Sequence, residues 1–397
     1  MSTPTIDHPT APKLAERWIL LAASVGILCR VVVCLLSTGS NDIRTWERFA
    51  LSIRESGLAA LYQTDPLFNH PPLMGLYSAA VSGLADRFAL PFPVLFKLPM
   101  VAADALVLML LYWSVLHSDG TRKAARVAVV WAWAPASILI SAFHGNTDAL
   151  CAALAVSSLF LVARRKSPFA GGLLMAAALN VKLIPVLLAP SVLVLAGGRK
   201  GMTRFVAGAA VGAIPFAIAV VLGGGAVLHN LLGWAGVPDL WGVFGALRAI
   251  GYGASETLPG ATAMIEGLAS VTRYVLLGIV IAVPVHARRT GRRLDLRLPA
   301  FAMLLFLILA PGFGIQYMLY VAPFVLLMDL PGGAALACVS GAFVAATYGM
   351  FMVSWSPMTT LHTFPLPATA AALGGLTWLL LVALLVRMWR LPRLRDQ

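Results

Sequence analysis

Charged residues are scarce in this chain. Of its 397 residues, 11% are charged and 60% are hydrophobic. A soluble domain carries about a quarter charged residues, so the composition excludes an ordinary soluble protein and predicts a polytopic membrane protein. The formal net charge of +13 does not indicate nucleic acid as a partner, because the basic residues lie in short clusters between apolar runs and form no continuous face.

Cysteines and familiar catalytic motifs are also few or absent. The four cysteines all lie inside apolar runs, without the paired spacing of a zinc site or a disulfide framework. They are interpreted as small buried hydrophobic residues. No HExxH, Walker, GxSxG or GxGxxG-plus-acid arrangement occurs, which excludes the usual metalloproteases, ATPases and serine hydrolases. The sequence therefore predicts neither a metal site nor a cofactor.

What the chain has in quantity is apolar runs of helical length. They predict an all-α membrane protein with about twelve spans, in which residues 17–390 form one transmembrane domain between the cytoplasmic tails 1–16 and 391–397. Several runs are shorter than the about 20 residues that a straight span needs. The predicted spans are residues 18–37, 93–116, 125–142, 148–163, 168–182, 184–197, 203–223, 266–286, 298–311, 315–329, 332–353 and 368–388.

The predicted topology depends on the segment Pro71–Phe88. If this segment does not cross the membrane, nearly every basic cluster falls on one side, as the positive-inside rule requires. It is therefore interpreted as a helix on the outer surface, and both termini are expected to be cytoplasmic. The long loop 38–92 then lies outside and carries juxtamembrane helices, together with most of the unusual polar residues.

Three residues of this loop are candidates for chemistry. Asp42 follows the first span directly and is either a helix N-cap, a role shared with Asn41, or a general base for an acceptor hydroxyl. Asp65 could assist, although its TDP context is also an ordinary turn signal. His70 stands before two prolines, which restrict its backbone, and this suits either a ligand contact or simple loop packing.

Further candidates lie in other predicted outer loops. In FHGNTDAL, Asp148 is in part a helix cap, and His144 is a candidate sugar or phosphate contact. Lys182 either extends its ammonium to the membrane interface or holds a lipid phosphate. Arg30 is a weaker candidate for such a phosphate contact. Gln316 and Tyr317 are also predicted substrate contacts, although an interfacial aromatic belt explains the tyrosine equally well. Arg248 is a further predicted contact, and it or His144 could help Lys182 to stabilise the lipid phosphate.

These residues carry a family resemblance. FNHPPL resembles a tyrosine/histidine-Pro-Pro-Leu segment of GT-C-type glycosyltransferases, integral membrane enzymes that use polyprenyl-phosphate sugars, and Asp42 resembles their catalytic aspartate. HGNTDALCAALAVSSLFL, FAGGLLMAAALNVKLIPVLLAP and QYMLYVAP are similar to segments of the catalytic subunit of glycosylphosphatidylinositol mannosyltransferase I and its bacterial relatives. The chain departs from the oligosaccharyltransferase branch in lacking an acidic metal-binding cluster, and from the large protein mannosyltransferases in lacking a long soluble outer domain.

The resemblance implies transfer of one sugar, mannose or another hexose or pentose, from a polyprenyl-phosphate donor to a glycan or lipid-linked acceptor. The reaction is expected to invert the anomeric centre on the non-cytoplasmic face, in a protein of the bacterial inner (plasma) membrane that contacts membrane lipids. The alternative is a transporter or a flippase for lipids or lipid-linked sugars. Transporters often show repeated halves and charges near the midplane, whereas this chain shows no internal repeat and gathers its polar residues at one face.

Overall fold

The computed structural model describes residues 14–233, 261–290, 296–310, 312, 314–353 and 368–390. This part of the chain folds into helices joined by short loops and contains no strand, so the predicted all-α class is confirmed. Arg248 lies outside the described residues.

The α-helices are numbered here in chain order. The first half contains α1 (Leu14–Leu36), α2 (Asn41–Ser56), α3 (Leu58–Thr64), α4 (Pro72–Phe88), α5 (Phe92–Asp119), α6 (Thr121–Ala132), α7 (Pro135–Ser137), the π-helix Ile138–His144, α8 (Asp148–Ala163) and α9 (Pro168–Val181). The second half contains the 3-10 helix Ile184–Leu187, α10 (Ala189–Leu195), α11 (Arg199–Gly212), α12 (Ile214–Gly223), α13 (Gly225–Leu232), α14 (Ala261–Arg289), α15 (Arg297–Leu309), the 3-10 helix Ile315–Tyr317, α16 (Met318–Met328), α17 (Leu330–Val353) and α18 (Ala368–Arg390).

Within these ranges, five helices are long and apolar enough to cross a membrane, and two bent helix pairs raise the number of candidate spans to seven. The expected count of about twelve is therefore not confirmed. Four of the other predicted spans fall on short apolar helices, including α8 and α9. The 16 residues of α8 reach about 24 Å, which is less than the about 30 Å of a hydrocarbon core.

Helix α1 shows why the long helices suit a membrane. Its large exposed residues recur every three or four positions and form one apolar stripe, which a lipid environment would cover. The stripe consists of Trp18, Leu21, Val25, Leu28, Val32 and Leu35.

The outer-loop region folds as a compact group of short helices. Helix α2 is amphipathic and buries Ile43, Trp46, Phe49, Ala50 and Ile53 on one face. Helix α4 packs against it and has 17 residues. As expected for Pro71–Phe88, α4 is not among the candidate spans.

Gly75 of α4 permits this close packing. A Cβ atom at this position would lie 2.8 Å from side-chain atoms of both Leu58 and Phe68. A larger residue would therefore push α4 away from the segment that precedes it.

The start of α2 corrects one sequence interpretation. Its N-cap is Ser40, whose side-chain oxygen accepts the backbone N–H of Asp42 at 3.2 Å. Neither Asn41 nor Asp42 caps the helix. Asp42 lies in the first helical turn, where a negative charge is favourable, and its carboxylate is left for other contacts.

Candidate functional site

The carboxylate of Asp42 faces the π-helix that ends at His144. Oδ2 of Asp42 lies 2.8 Å from Nε2 of His144. The Asp42 side chain is 52% exposed, whereas that of His144 is 12% exposed. Oδ1 of Asp42 makes no hydrogen bond to the described residues. An exposed carboxylate with one oxygen unused can accept a proton from a bound hydroxyl.

The short loop after His144 links this acid to a second polar pair. The side-chain Oδ1 of Asn146 accepts the backbone N–H of Asp148 at 2.9 Å, and its Nδ2 lies 3.2 Å from Nε2 of His144. Asn146 therefore closes an Asx turn before α8, whose N-cap position is Thr147 and has no side-chain capping bond. The expected capping role of Asp148 is wrong, because Asp148 is the first residue of α8 and its carboxylate makes no capping bond.

Asp148 uses its carboxylate for a buried ion pair instead. Its Oδ2 accepts Nζ of Lys182 at 2.7 Å, and its Oδ1 accepts the hydroxyl of Tyr320 at 2.7 Å. Asp148 is fully buried, while the Lys182 side chain is 17% exposed. Lys182 directly follows the last residue of α9, so the helix end presents its ammonium towards the loops.

Lys182 has hydrogen-bonding capacity left over. Its Nζ also lies 5.1 Å from the centre of the Tyr317 ring, a cation–π distance. An ammonium has three N–H donors, and Asp148 is the one hydrogen-bond partner that the described residues provide. Gln316 precedes Tyr317 in the same 3-10 turn and is half-buried. The geometry leaves Lys182 able to bind a further anion.

His70 lies beside these groups on an aromatic base. Its ring centre is 4.5 Å from that of Trp46, and its Nδ1 is buried with no hydrogen-bond partner among the described residues. Burial, together with the positive charge of Lys182, lowers the pKa of His70 to about 3. His70 is therefore a neutral imidazole at physiological pH.

Charge interactions join the groups into one site. Partial desolvation by itself would raise the pKa of Asp42, but the nearby His144 and Lys182 outweigh it and lower this pKa to about 2. Asp42 is therefore ionised at neutral pH. The candidate site consists of Asp42 and His144 on one side, and Asp148, Lys182 and Tyr317 on the other, with Asn146 between them and His70 beside Asp42.

Asp65 is not brought to these groups. Its carboxylate accepts NH1 of Arg48 at 2.6 Å and the backbone N–H of Leu67 at 2.9 Å. The second contact is the turn interaction that its TDP context indicated. Asn230 of α13 donates to backbone carbonyls of the same segment, including that of Tyr62 at 3.0 Å. Asp65 thus shapes the loop that leads to His70.

Arg30, a weaker phosphate candidate, has a different role. It is fully buried, and its Nε donates to Asp104 Oδ2 at 3.1 Å. Further donors reach the carbonyls of Trp131 and Ala132. Two spans thus share a sealed ion pair, and Arg30 has no access to a substrate phosphate.

Lys97 was missed by the sequence interpretation. It is fully buried, and its Nζ donates to the carbonyl and hydroxyl oxygens of Ser37 at 2.6 and 2.7 Å. Its methylene chain packs beneath Gly145, where a Cβ would lie 2.6 Å from Lys97 Cγ and where φ is +73°. A lysine inside an apolar run was the available signal, the same one that identified Lys182.

The described residues contain no group of three or more His, Cys, Asp or Glu side chains suited to hold a metal ion. The arrangement instead combines a proton acceptor with a cation, in a multi-pass helical membrane protein. These features suit transfer of a group between a hydroxyl and an anionic leaving group.

The profile of Glycosyltransferase family 87 matches residues 68–311, well over half of the chain. The chain belongs to this family, and the protein is a membrane glycosyltransferase. The matched range contains His70, His144, Asp148 and Lys182, while Asp42 precedes it. No curated protein matches the chain. The similarity to glycosylphosphatidylinositol mannosyltransferase I is not shown by these comparisons.

Proposed function

We propose that this glycosyltransferase is of the GT-C type and moves a single sugar from a polyprenyl-phosphate donor to a glycan or lipid-linked acceptor. The observation that carries the proposal is the pairing of two features in one site. These are the exposed Asp42 carboxylate with an unused oxygen and the Lys182 ammonium with unused donors. They suit the two ends of an in-line displacement.

In this mechanism Asp42 is the general base. Its free Oδ1 takes the proton of the acceptor hydroxyl as that oxygen attacks the anomeric carbon. The new oxygen–carbon bond forms while the bond from the anomeric carbon to the phosphate oxygen breaks, so the product has inverted configuration. The lowered pKa of Asp42, about 2, keeps the carboxylate ready to accept the proton at neutral pH.

Lys182 stabilises the departing lipid phosphate. The charge on the phosphate oxygen rises as its bond to the sugar breaks, and a fixed ammonium is worth most at that stage. Asp148 and Tyr317 hold the ammonium in place, at 2.7 Å from Oδ2 and 5.1 Å from the ring centre respectively. Tyr317 and the neighbouring Gln316 are proposed substrate contacts.

The proposed side of the membrane follows from charge. The basic clusters of the sequence lie between the apolar runs in a pattern that assigns them to the cytoplasm. The loops that carry Asp42 and His144 then face outwards, where a lipid-linked donor supplies an activated sugar without a nucleotide.

The test is the variant Asp42→Asn in purified protein supplied with polyprenyl-phosphate mannose or glucose. Removal of a general base lowers the rate by about 10²–10⁴-fold, and we expect a loss of that size. Asp65→Asn is the matched control, because Asp65 belongs to the same outer region but pairs with Arg48. Full turnover by Asp42→Asn would refute the base assignment.

The phosphate role has a separate test. Lys182→Met keeps most of the length of the side chain and removes its charge. We expect both a higher KM for the donor and a lower kcat, because the ammonium binds phosphate in the ground state and more strongly in the transition state. Unchanged donor dependence would exclude the phosphate role of Lys182.

A further inference from the structure

Resting on the proposed function, we propose that His144 is a positioning residue for the base. In this role Nε2 of His144 holds Oδ2 of Asp42, so that Oδ1 is presented to the acceptor hydroxyl. This assignment replaces the sugar or phosphate contact that the sequence suggested for His144. It makes His144 act through Asp42 rather than on the donor.

The geometry of the contact is the first argument. The 2.8 Å distance between Nε2 and Oδ2 is a hydrogen-bond length. Asp42 is more than half exposed, so its carboxylate would rotate freely without a partner. One hydrogen bond removes that freedom and leaves the other oxygen available. Near-attack geometry is sensitive to such placement, since a shift of about 1 Å can cost about 10²-fold in rate.

The second argument is that His144 is itself held firmly. Its ring stacks on that of Tyr348 of α17, with centres 5.1 Å apart and planes at 21°. The Asn146 amide lies 3.2 Å from Nε2, but an Nε2 that donates its N–H to Asp42 has no lone pair to accept from this amide, so Asn146 packs beside the ring without bonding it. The π-helix that ends at His144 is closed by Gly145, whose N–H donates to the carbonyl of Ile140. A ring fixed in this way can transmit its orientation to Asp42.

The third argument is that the start of α2 makes no competing demand on the carboxylate. Ser40 caps the helix, so Asp42 is not needed for that purpose. Lys182, the cation suited to the phosphate, is paired with Asp148 rather than with Asp42. The two carboxylates therefore have different basic partners, and His144 belongs with the base.

The charged and titratable groups that face Asp42 are His144, Lys182, His70 and the hydroxyl of Tyr348. Among the causes that lower the pKa of Asp42, His144 is the largest. Removal of its nitrogen atoms should therefore move the acidic limb of the pH–rate profile to higher pH. A residue with a merely structural role would leave that limb in place.

The experiment compares His144→Phe with His144→Gln in full-length protein, with a polyprenyl-phosphate sugar as donor. Phenylalanine keeps the ring stacked on Tyr348 but cannot bond Asp42, whereas glutamine can place an N–H near the position of Nε2. We expect kcat to fall by about 10²-fold in the phenylalanine variant, with unchanged donor KM and a raised acidic limb. Glutamine should restore most of the rate.

Two results would overturn the proposal. One is a higher donor KM in His144→Phe with kcat and the acidic limb unchanged, which would assign His144 to the donor. The other is equal loss of rate in both variants with no movement of the limb. If the phenylalanine variant does not fold, His144→Asn replaces it, because its shorter amide cannot reach Asp42.

Asp42→Asn is measured in parallel to separate this proposal from the proposed function. An inactive Asp42→Asn together with a fully active His144→Phe would refute the role of His144 alone. An active Asp42→Asn would refute the base assignment on which this proposal rests.

Discussion

Two acid–base pairs in this protein have opposite surroundings. Asp104 is paired with Arg30 between two spans, and both residues are fully buried. Oδ2 of Asp104 also accepts the hydroxyls of Ser137 and Ser141, at 2.7 and 2.5 Å. Asp42 is paired with His144 at the edge of the helical core and is more than half exposed.

The contrast separates an acid that is used within the fold from one that is available to a substrate. A carboxylate surrounded by several donors and shut off from solvent stabilises the packing of helices and offers nothing to a substrate. A carboxylate that has one partner and keeps an oxygen free can take part in chemistry. The number of hydrogen-bond partners that a charged residue has therefore indicates function better than its presence in an apolar run does.

The largest expected effect tests the sealed pair. Arg30→Met leaves Asp104 as an uncompensated buried charge, and such a loss costs about 3–5 kcal/mol. We expect a large drop in the unfolding midpoint in detergent. The double variant Arg30→Met/Asp104→Leu should regain much of it, because no buried charge remains. Equal stability of Arg30→Met and the wild type would show that the pair does not hold the helices together.

A smaller effect on stability is expected when the region around the exposed Asp42–His144 pair is acidified. The pKa of His70 is lowered from 6.5 to about 3, so between these values the unfolded chain binds a proton that the folded protein does not. Stability from the neutral His70 is thus complete above about pH 6.5 and is lost as the pH falls towards 3. His70→Phe, which keeps a ring on Trp46, should weaken this acid sensitivity.

The measurement for His70 is the thermal midpoint between pH 7 and pH 4 in both proteins. A phenylalanine variant that loses as much stability as the wild type over this range would contradict the prediction.

A still smaller effect is expected when the open pair is broken. Asp42→Asn should change the stability by about 1 kcal/mol or less, because exposed ion pairs contribute little. The same substitution should abolish most of the transfer activity, so stability and activity separate at this residue. Thermal unfolding beside the activity assay checks this, and a loss as large as that of Arg30→Met would make Asp42 structural.

The smallest expected effect concerns the exposed Arg48–Asp65 pair. Arg48→Gln removes a partner whose side chain is 52% exposed, and we expect a change within about 1 kcal/mol and normal activity. Turnover under saturating donor and acceptor is the readout. A marked loss of activity would place Asp65 back among the substrate contacts.

Much of the site could be predicted from isolated residues, but their pairing could not. Asp42 and His144 were identified by their places in polar segments next to predicted spans, and Lys182 because a charge within an apolar run is costly. The sequence interpretation assigned His144 to the substrate and Asp148 in part to a cap. Tertiary packing instead brings His144 to Asp42 and Asp148 to Lys182, over separations of 102 and 34 residues.

Lys97 and Arg30 also show that the pairing of charged residues could not be predicted from the sequence. Both are cations within apolar runs, yet Lys97 was overlooked and Arg30 was only a weaker candidate for a phosphate contact. Their partners are Ser37, 60 residues away, and Asp104, 74 residues away. Local sequence contains no information on which distant polar group satisfies a buried cation, because that depends on how the helices pack.

The amino-acid sequence by itself determined that this protein is helical and embedded in a membrane, because abundant apolar residues and scarce charge leave few other ways to satisfy the backbone. It also determined where the polar loops fall. Only the tertiary structure decided which acid is sealed and which is open. That distinction depends on solvent access and on hydrogen-bond partners contributed by different helices, and neither exists until the chain has folded.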